Sequence, residues 1–232
     1  MRAPIVCLLL ALIACGKSTP KRELDLDLIK IVTDARLRTD IVGEGDFAQT
    51  ASYVLVDAEN TANEGAYVTL GGDLIDPDGK TIGTLNLMSL WIPPHEKRLY
   101  ALVDSERKPR AEATKVRIKV RGANAGLPAP TVRVTDVHTY DDHGQLVISG
   151  YLENDANRDA QVMVVAAFHD ERDRPMKRPF YVVKIARKQP GEPGDCPDVA
   201  AEKLPMASKC PVQFVGPKGA KTAQLFVADT VY

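Results

Sequence analysis

Residues 59–79 read Glu-Asn-Thr-Ala-Asn-Glu-Gly-Ala-Tyr-Val-Thr-Leu-Gly-Gly-Asp-Leu-Ile-Asp-Pro-Asp-Gly, and residues 153–173 read Glu-Asn-Asp-Ala-Asn-Arg-Asp-Ala-Gln-Val-Met-Val-Val-Ala-Ala-Phe-His-Asp-Glu-Arg-Asp. Slid by 94 positions, Glu59-Asn60-Thr61-Ala62-Asn63 falls on Glu153-Asn154-Asp155-Ala156-Asn157. At the same offset Val68 meets Val162, Leu70 meets Val164, Leu74 meets Phe168 and Asp76 meets Asp170. The matched apolar positions lie two apart, the period of a strand with one face inward. Asp76-Pro77-Asp78-Gly79 and Asp170-Glu171-Arg172-Asp173 then have turn composition. A duplicated β unit accounts for both copies.

Outward from this repeat the same period recurs. Val116, Ile118 and Val120 alternate with Lys115, Arg117, Lys119 and Arg121, and Val132 and Val134 flank Arg133. Short strands, Gly, Pro, Asn and Asp turns and the absence of a long 3.6-residue pattern predict an all-β fold. The expected architecture is two tandem immunoglobulin-like antiparallel β-sandwich domains, over 25–121 and 131–232. The run Gly122-Ala-Asn-Ala-Gly-Leu-Pro-Ala-Pro130 separates them as a linker. Each piece is near 100 residues, enough for one modest core. Gly71-Gly72 falls inside a strand pattern, which predicts a bulge or a close backbone approach. The basic strand 115–121 is expected at a sheet edge, where charge guards against edge-to-edge pairing.

The chain begins with Arg2, an apolar stretch from Ile5 to Ala14, then Cys15-Gly16-Lys17. About 20 apolar residues are needed to span a bilayer, and this stretch is too short, so 1–14 reads as an export signal. Leu12-Ile13-Ala14-Cys15 resembles the lipobox of bacterial lipoproteins. The resemblance implies cleavage before Cys15, lipid on its sulfur and then on its amine, and a stable membrane anchor, because two or more acyl chains hold where one is marginal. An ordinary cleaved signal in which Cys15 is incidental is the rival. Residues 15–24, polar and basic with Pro20, are expected as a flexible tether. Gly16, where an aspartate would resemble an inner-membrane retention signal, points to an outer-membrane address in a cell that has one.

The two repeats are similar to FxLYD-type extracytoplasmic sandwich modules, built of a strand, an Asn-containing turn, a second strand and an Asp-Gly turn. The motif positions fall on Gly72, Leu74, Ile75 and Asp76, and on Ala166, Phe168, His169 and Asp170. The family's phenylalanine is missing from both copies, and its tyrosine is replaced by Ile75 or His169. The resemblance implies a binding or scaffolding module and brings no enzymatic activity with it.

Of the four cysteines, Cys7 belongs to the signal and Cys15 takes lipid, which leaves Cys196 and Cys210. In an oxidising exported compartment these are expected to form one disulfide around a Pro-, Lys- and Asp-rich segment. Closing a loop of that size contributes about 3 kcal/mol in the chain-entropy view. A metal pair lacks the CxxC spacing and a redox pair lacks its motif.

Asp136, His138, Asp141 and His143 form the best candidate for a divalent metal site, with a solvated hairpin turn as the competing reading. Asp76–Gly79 starts like a calcium loop but lacks the later ligands. No G-x-S-x-G elbow, catalytic Cys–His motif or phosphate-cradling glycine loop is present, so an enzyme is not expected. Overall charge is nearly balanced, with 30 Lys and Arg against 31 Asp and Glu. Locally, 97–121 holds nine bases against three acids, and 25–64 holds nine acids against three bases. Lys115, Arg117, Lys119 and Arg121 therefore make either a stripe for an anionic envelope partner or a face that pairs with the acids of 25–64. Nucleic acid is not expected, since aromatic residues do not interleave the bases. Trp91, in Leu87-Met-Ser-Leu-Trp-Ile92, is expected in the core, with a partly exposed docking surface as the alternative.

The sequence thus predicts a non-catalytic, cofactor-free envelope protein, anchored to the membrane through Cys15 and engaging a protein partner. The alternative is an envelope protein that binds glycan or metal ions, and a hydrolase with dispersed catalytic residues is a reserve.

Overall fold

The computed structural model describes residues 22–32, 35–42, 46, 48–154, 160–176, 180–185 and 210–231. Leu12, Ile13, Ala14, Cys15 and Cys196 lie outside the described residues, so lipidation and the disulfide pairing lie outside them too. Cys210 is buried where its strand begins.

The fold is all-β, as expected, with a 3-10 turn at Leu26–Leu28. The strands are β1 (Arg22–Glu23), β2 (Ile29–Ile31), β3 (Arg36–Val42), β4 (Gln49–Asn60), β5 (Ala66–Ile75), β6 (Thr81–Ile92), β7 (Lys97–Val103) and β8 (Lys115–Ala125) in the first half. In the second half they are β9 (Val132–Asp142), β10 (Gln145–Asn154), β11 (Ala160–His169), β12 (Phe180–Ile185), β13 (Cys210–Val215) and β14 (Thr222–Val231). All of their pairings are antiparallel.

The sequence repeat is also a repeat of topology. β4 lies between β3 and β7, and β10 between β9 and β13. β5 lies between β6 and β8, and β11 between β12 and β14. The repeated residues do local work that explains their recurrence. Asn60 is buried, donates from Nδ2 to the carbonyls of Glu64 (2.8 Å) and Ile92 (3.1 Å), and accepts from the Ala62 amide (3.0 Å), which ties the β4–β5 turn to the end of β6. Asp76 Oδ1 accepts the amides of Asp78 and Lys80 at 3.0 and 2.9 Å, and Asp170 Oδ1 accepts those of Arg172 and Arg174 at 2.9 and 3.0 Å. Both are Asx turns, closed by positive-φ residues at equivalent places, Gly79 (85°) and Asp173 (54°).

Two features add to the expected organisation. First, 122–130 is not wholly a linker: Gly122–Ala125 completes β8 and pairs with β5 and β1. Ala123 and Ala125 are buried there, so the small residues that suggested a linker instead let the strand end pack tightly. Similarly, Arg22 and Glu23 of the expected tether form β1.

Second, the two halves pack against each other. Val165 and Ala167 of β11 and Phe226 and Ala228 of β14 share one apolar core with the first half. The alternate row, Val162, Val164, Ala166, Phe168, Leu225 and Val227, fills the second core against β10 and β13. The four sheets therefore stack, and the two middle ones are covered on both faces. That is why Ala51–Ala58 of β4 is buried without interruption and Val164–His169 of β11 likewise. Polar contacts lock the junction. Asp57 and His169, both fully buried, meet at 3.1 Å (Oδ2 to Nε2), the Arg98 guanidinium lies 4.5 Å from the centre of the Phe226 ring, Arg38 donates to the Pro175 carbonyl at 3.1 Å, and Lys97 pairs with Asp173.

Candidate functional site

The outermost sheet of the first half, in the order β1-β8-β5-β6, has one face on the core and one in solvent. The basic strand lies where the sequence placed it. β8 pairs with β5 along its whole length, while its other side carries only β1, at Ala125 and Asn124, among the described residues. Val116, Ile118 and Val120 lean on the core, so alternation sends Lys115, Arg117 and Lys119 outward. Arg121 lies at a bulge: Thr69 pairs with Gly122 but Leu70 with Val120, which leaves Arg121 as the extra residue.

Among the described residues Asp73 of β5 is the one carboxylate that any of these four cations meets. Its Oδ2 accepts from Lys119 Nζ at 2.8 Å and lies 3.9 Å from Arg117. The hydrogen bond from Lys119, helped by the charges of Lys119, Arg117 and Arg121, holds the Asp73 carboxyl below the usual range against the opposing effect of burial. Its contribution to stability is therefore complete above the ordinary carboxylate pKa and is lost as pH falls through the lowered value. Among the described residues no acid of 25–64 pairs with Lys115, Arg117, Lys119 or Arg121. Among the described residues, four positive charges stand against one negative on this face.

Within the pair Gly71-Gly72 it is Gly72 that close backbone approach requires, while Gly71 lies under the movable end of the exposed Leu87 side chain. A Cβ on Gly72 would stand 2.6 Å from the Arg117 carbonyl oxygen, and one on Gly71 would stand 2.6 Å from the Leu87 side chain. The β5–β6 register also shifts here, between Leu70 and Gly72.

Trp91 is not in the core, which corrects the expectation. Leu90 and Ile92 point inward and are buried, so the residue between them points outward. Trp91 is half-buried, lies over the backbone of Gly65 and meets Tyr67 edge to face, with ring centres 5.2 Å apart. Leu87, 66% exposed, continues the same face toward Arg121. The face is thus an aromatic pair at one end and a basic edge at the other. Strand alternation, applied to Tyr67 and Trp91, is the signal that could have found it.

Beside β8 the sandwich opens. A groove of about 690 Å³ runs between the edge of β3 and the edge of β8, lined by Ala35, Arg36, Leu37, Arg38, Thr114, Lys115 and Val116. Leu37 and Val116 form an apolar floor that continues into the core, and three cations border it.

The residues proposed for metal do not converge. Asp136 (φ 51°) lies at a bulge of β9 opposite Gly150. The His138 ring contacts the Asp136 carbonyl at 3.1 Å through Nδ1 and Ser149 Oγ at 2.9 Å through Nε2. Asp141 accepts the Gly144 amide at 3.0 Å, and His143 and Gly144, both at positive φ, form the two-residue hairpin loop. Among the described residues no three His, Cys, Asp or Glu are grouped as a metal would require. Compared with known proteins, the chain matches no family model, no curated protein and no solved structure.

Proposed function

We propose that this chain is a non-catalytic, lipid-anchored cell-envelope protein that works as an interaction or scaffolding module. Its N-terminal Leu12-Ile13-Ala14-Cys15 supplies the anchor, with the outer membrane as the favoured address, and its stacked sheets supply a stiff body standing off the bilayer. The observation that carries the reading is the basic edge of β8, which no described strand covers along 115–121, flanked by a groove and continuous with a half-exposed aromatic face. Such an edge offers backbone pairing, charge and apolar contact together, which suits a macromolecular partner. A disulfide between Cys196 and Cys210 belongs to the same reading, as does a distant likeness to FxLYD-type modules.

A second reading, an envelope glycan as ligand, is favoured by one feature only: the Tyr67–Trp91 pair on the same face as the cations.

Crosslinking in cells, followed by purification of the chain and mass spectrometry, tests the first reading with Cys15→Ser as the mislocalised control. One or two stoichiometric envelope proteins are expected, and they should be lost in the control. A chain that crosslinks to no protein contradicts the proposal and leaves the glycan reading.

A further inference from the structure

We infer that the edge of β8 left uncovered among the described residues, Lys115–Arg121, receives an extended acidic segment of a partner protein as an added strand, whose inward side chains enter the groove between β8 and β3. The inference rests on the interaction-module reading and names the chemistry of the partner.

The first ground is backbone chemistry. Every N–H and C=O needs a partner, and a sheet edge leaves half of them to water or to an incoming strand. Along 115–121 the outer side of β8 carries no strand among the described residues. The same edge already receives one extended segment a few residues on. Arg22 pairs with Ala125, Glu23 with Asn124, and the Leu24 amide donates to the Ala123 carbonyl at 2.8 Å. The free stretch continues this pairing line, so an added strand there would extend a geometry that the fold already uses.

Charge then selects the occupant. Two copies of this chain pairing edge to edge would set Lys115, Arg117, Lys119 and Arg121 against the same four cations, with one Asp73 on each side to offset them. Like charges directly opposite are destabilising in a sheet, so the stripe discourages self-association. An acidic strand reverses the sign. Because successive side chains of a strand point to opposite faces, one row of the incoming segment would lie beside the outward cations. The other row would face the floor formed by Leu37 and Val116, within reach of Arg36 and Arg38. The segment should therefore alternate acidic and apolar residues over about seven positions, roughly 23 Å of strand. An anionic lipid or glycan would satisfy the cations but would use neither the backbone edge nor the groove.

The test uses the purified full chain and a blocked seven-residue peptide of alternating Glu and Val, with two analogues N-methylated at alternate amides, one set in each register. N-methylation leaves the charge unchanged and removes the donors from one side of the peptide. The expected result is that the parent peptide binds and slows amide exchange within 115–121 more than tenfold. One N-methylated analogue should bind at least tenfold more weakly while the other keeps its affinity. Lys115→Glu with Arg117→Glu, at exposed positions that leave the circular dichroism spectrum unchanged, should weaken the parent peptide at least tenfold. Equal binding of both analogues, binding without protection of 115–121, or no binding at millimolar peptide would overturn the inference. If it fails while the cellular crosslinks persist, the partner docks elsewhere and the interaction-module reading stands.

Discussion

Leu90→Asp combined with Ile92→Asp is expected to leave the chain unfolded at 25 °C, with loss of the sheet circular dichroism signal and of any cooperative melt. Both side chains are fully buried, at 1% and 0% exposure, in the core that joins the two halves. An unpaired carboxylate there costs several kcal/mol, and two of them approach the whole stability of a domain, about 5–15 kcal/mol. Trp91→Ala, between the two, should cost only about 1 kcal/mol, the order of an edge-to-face aromatic pair with its half-buried surface. A folded Leu90→Asp, Ile92→Asp protein, or a Trp91→Ala protein that unfolds with it, would show that β6 has the opposite face inward.

Asp57→Ala should lower stability by about 3–5 kcal/mol in urea unfolding, because it strips the partner from a His169 ring that has no access to solvent. The pair joins residues 112 positions apart across the two middle sheets. Asp57→Leu with His169→Phe should recover most of that loss, since an apolar pair of similar volume replaces both polar groups and leaves neither orphaned. A loss below about 0.5 kcal/mol for Asp57→Ala would mean that the pair does not hold the halves together.

Much of the fold was legible because the signals are local. The alternation of Val116, Ile118 and Val120 with basic residues reports one strand with one face inward. The Asn60 and Asp76–Asp170 positions recur because each satisfies backbone groups within a few residues of itself. The stacking of the halves was hidden for the opposite reason. Ala51–Ala58 and Val164–His169 are buried on both faces, and a continuous apolar run carries no phase to show which neighbour lies on which side. Asp57 and His169 each look like ordinary polar interruptions until the tertiary fold brings them together. Trp91 was misplaced because its size and apolar neighbours outweighed the parity that Leu90 and Ile92 impose.

The candidate site was legible in part. The stripe could be read from charge and period, and its edge position followed from the physics of unprotected strands. The groove could not, since it arises where β3 and β8, separated by most of the first half, come to lie along the same open side. The metal candidate failed on geometry. Two imidazoles and three carboxylates within eight positions looked dense, but alternation, a bulge at Asp136 and the His143–Gly144 loop send them in different directions.

The most direct test of the account is site-specific photo-crosslinking in cells, with a photoreactive amino acid placed at Arg117 on the β8 edge and, separately, at Tyr140 on β9, an exposed position of the other outermost sheet. A discrete adduct with one envelope protein is expected from position 117 and none from 140. An adduct from 140 alone, identical adducts from both, or none from 117 would contradict the assignment of the partner site to this edge.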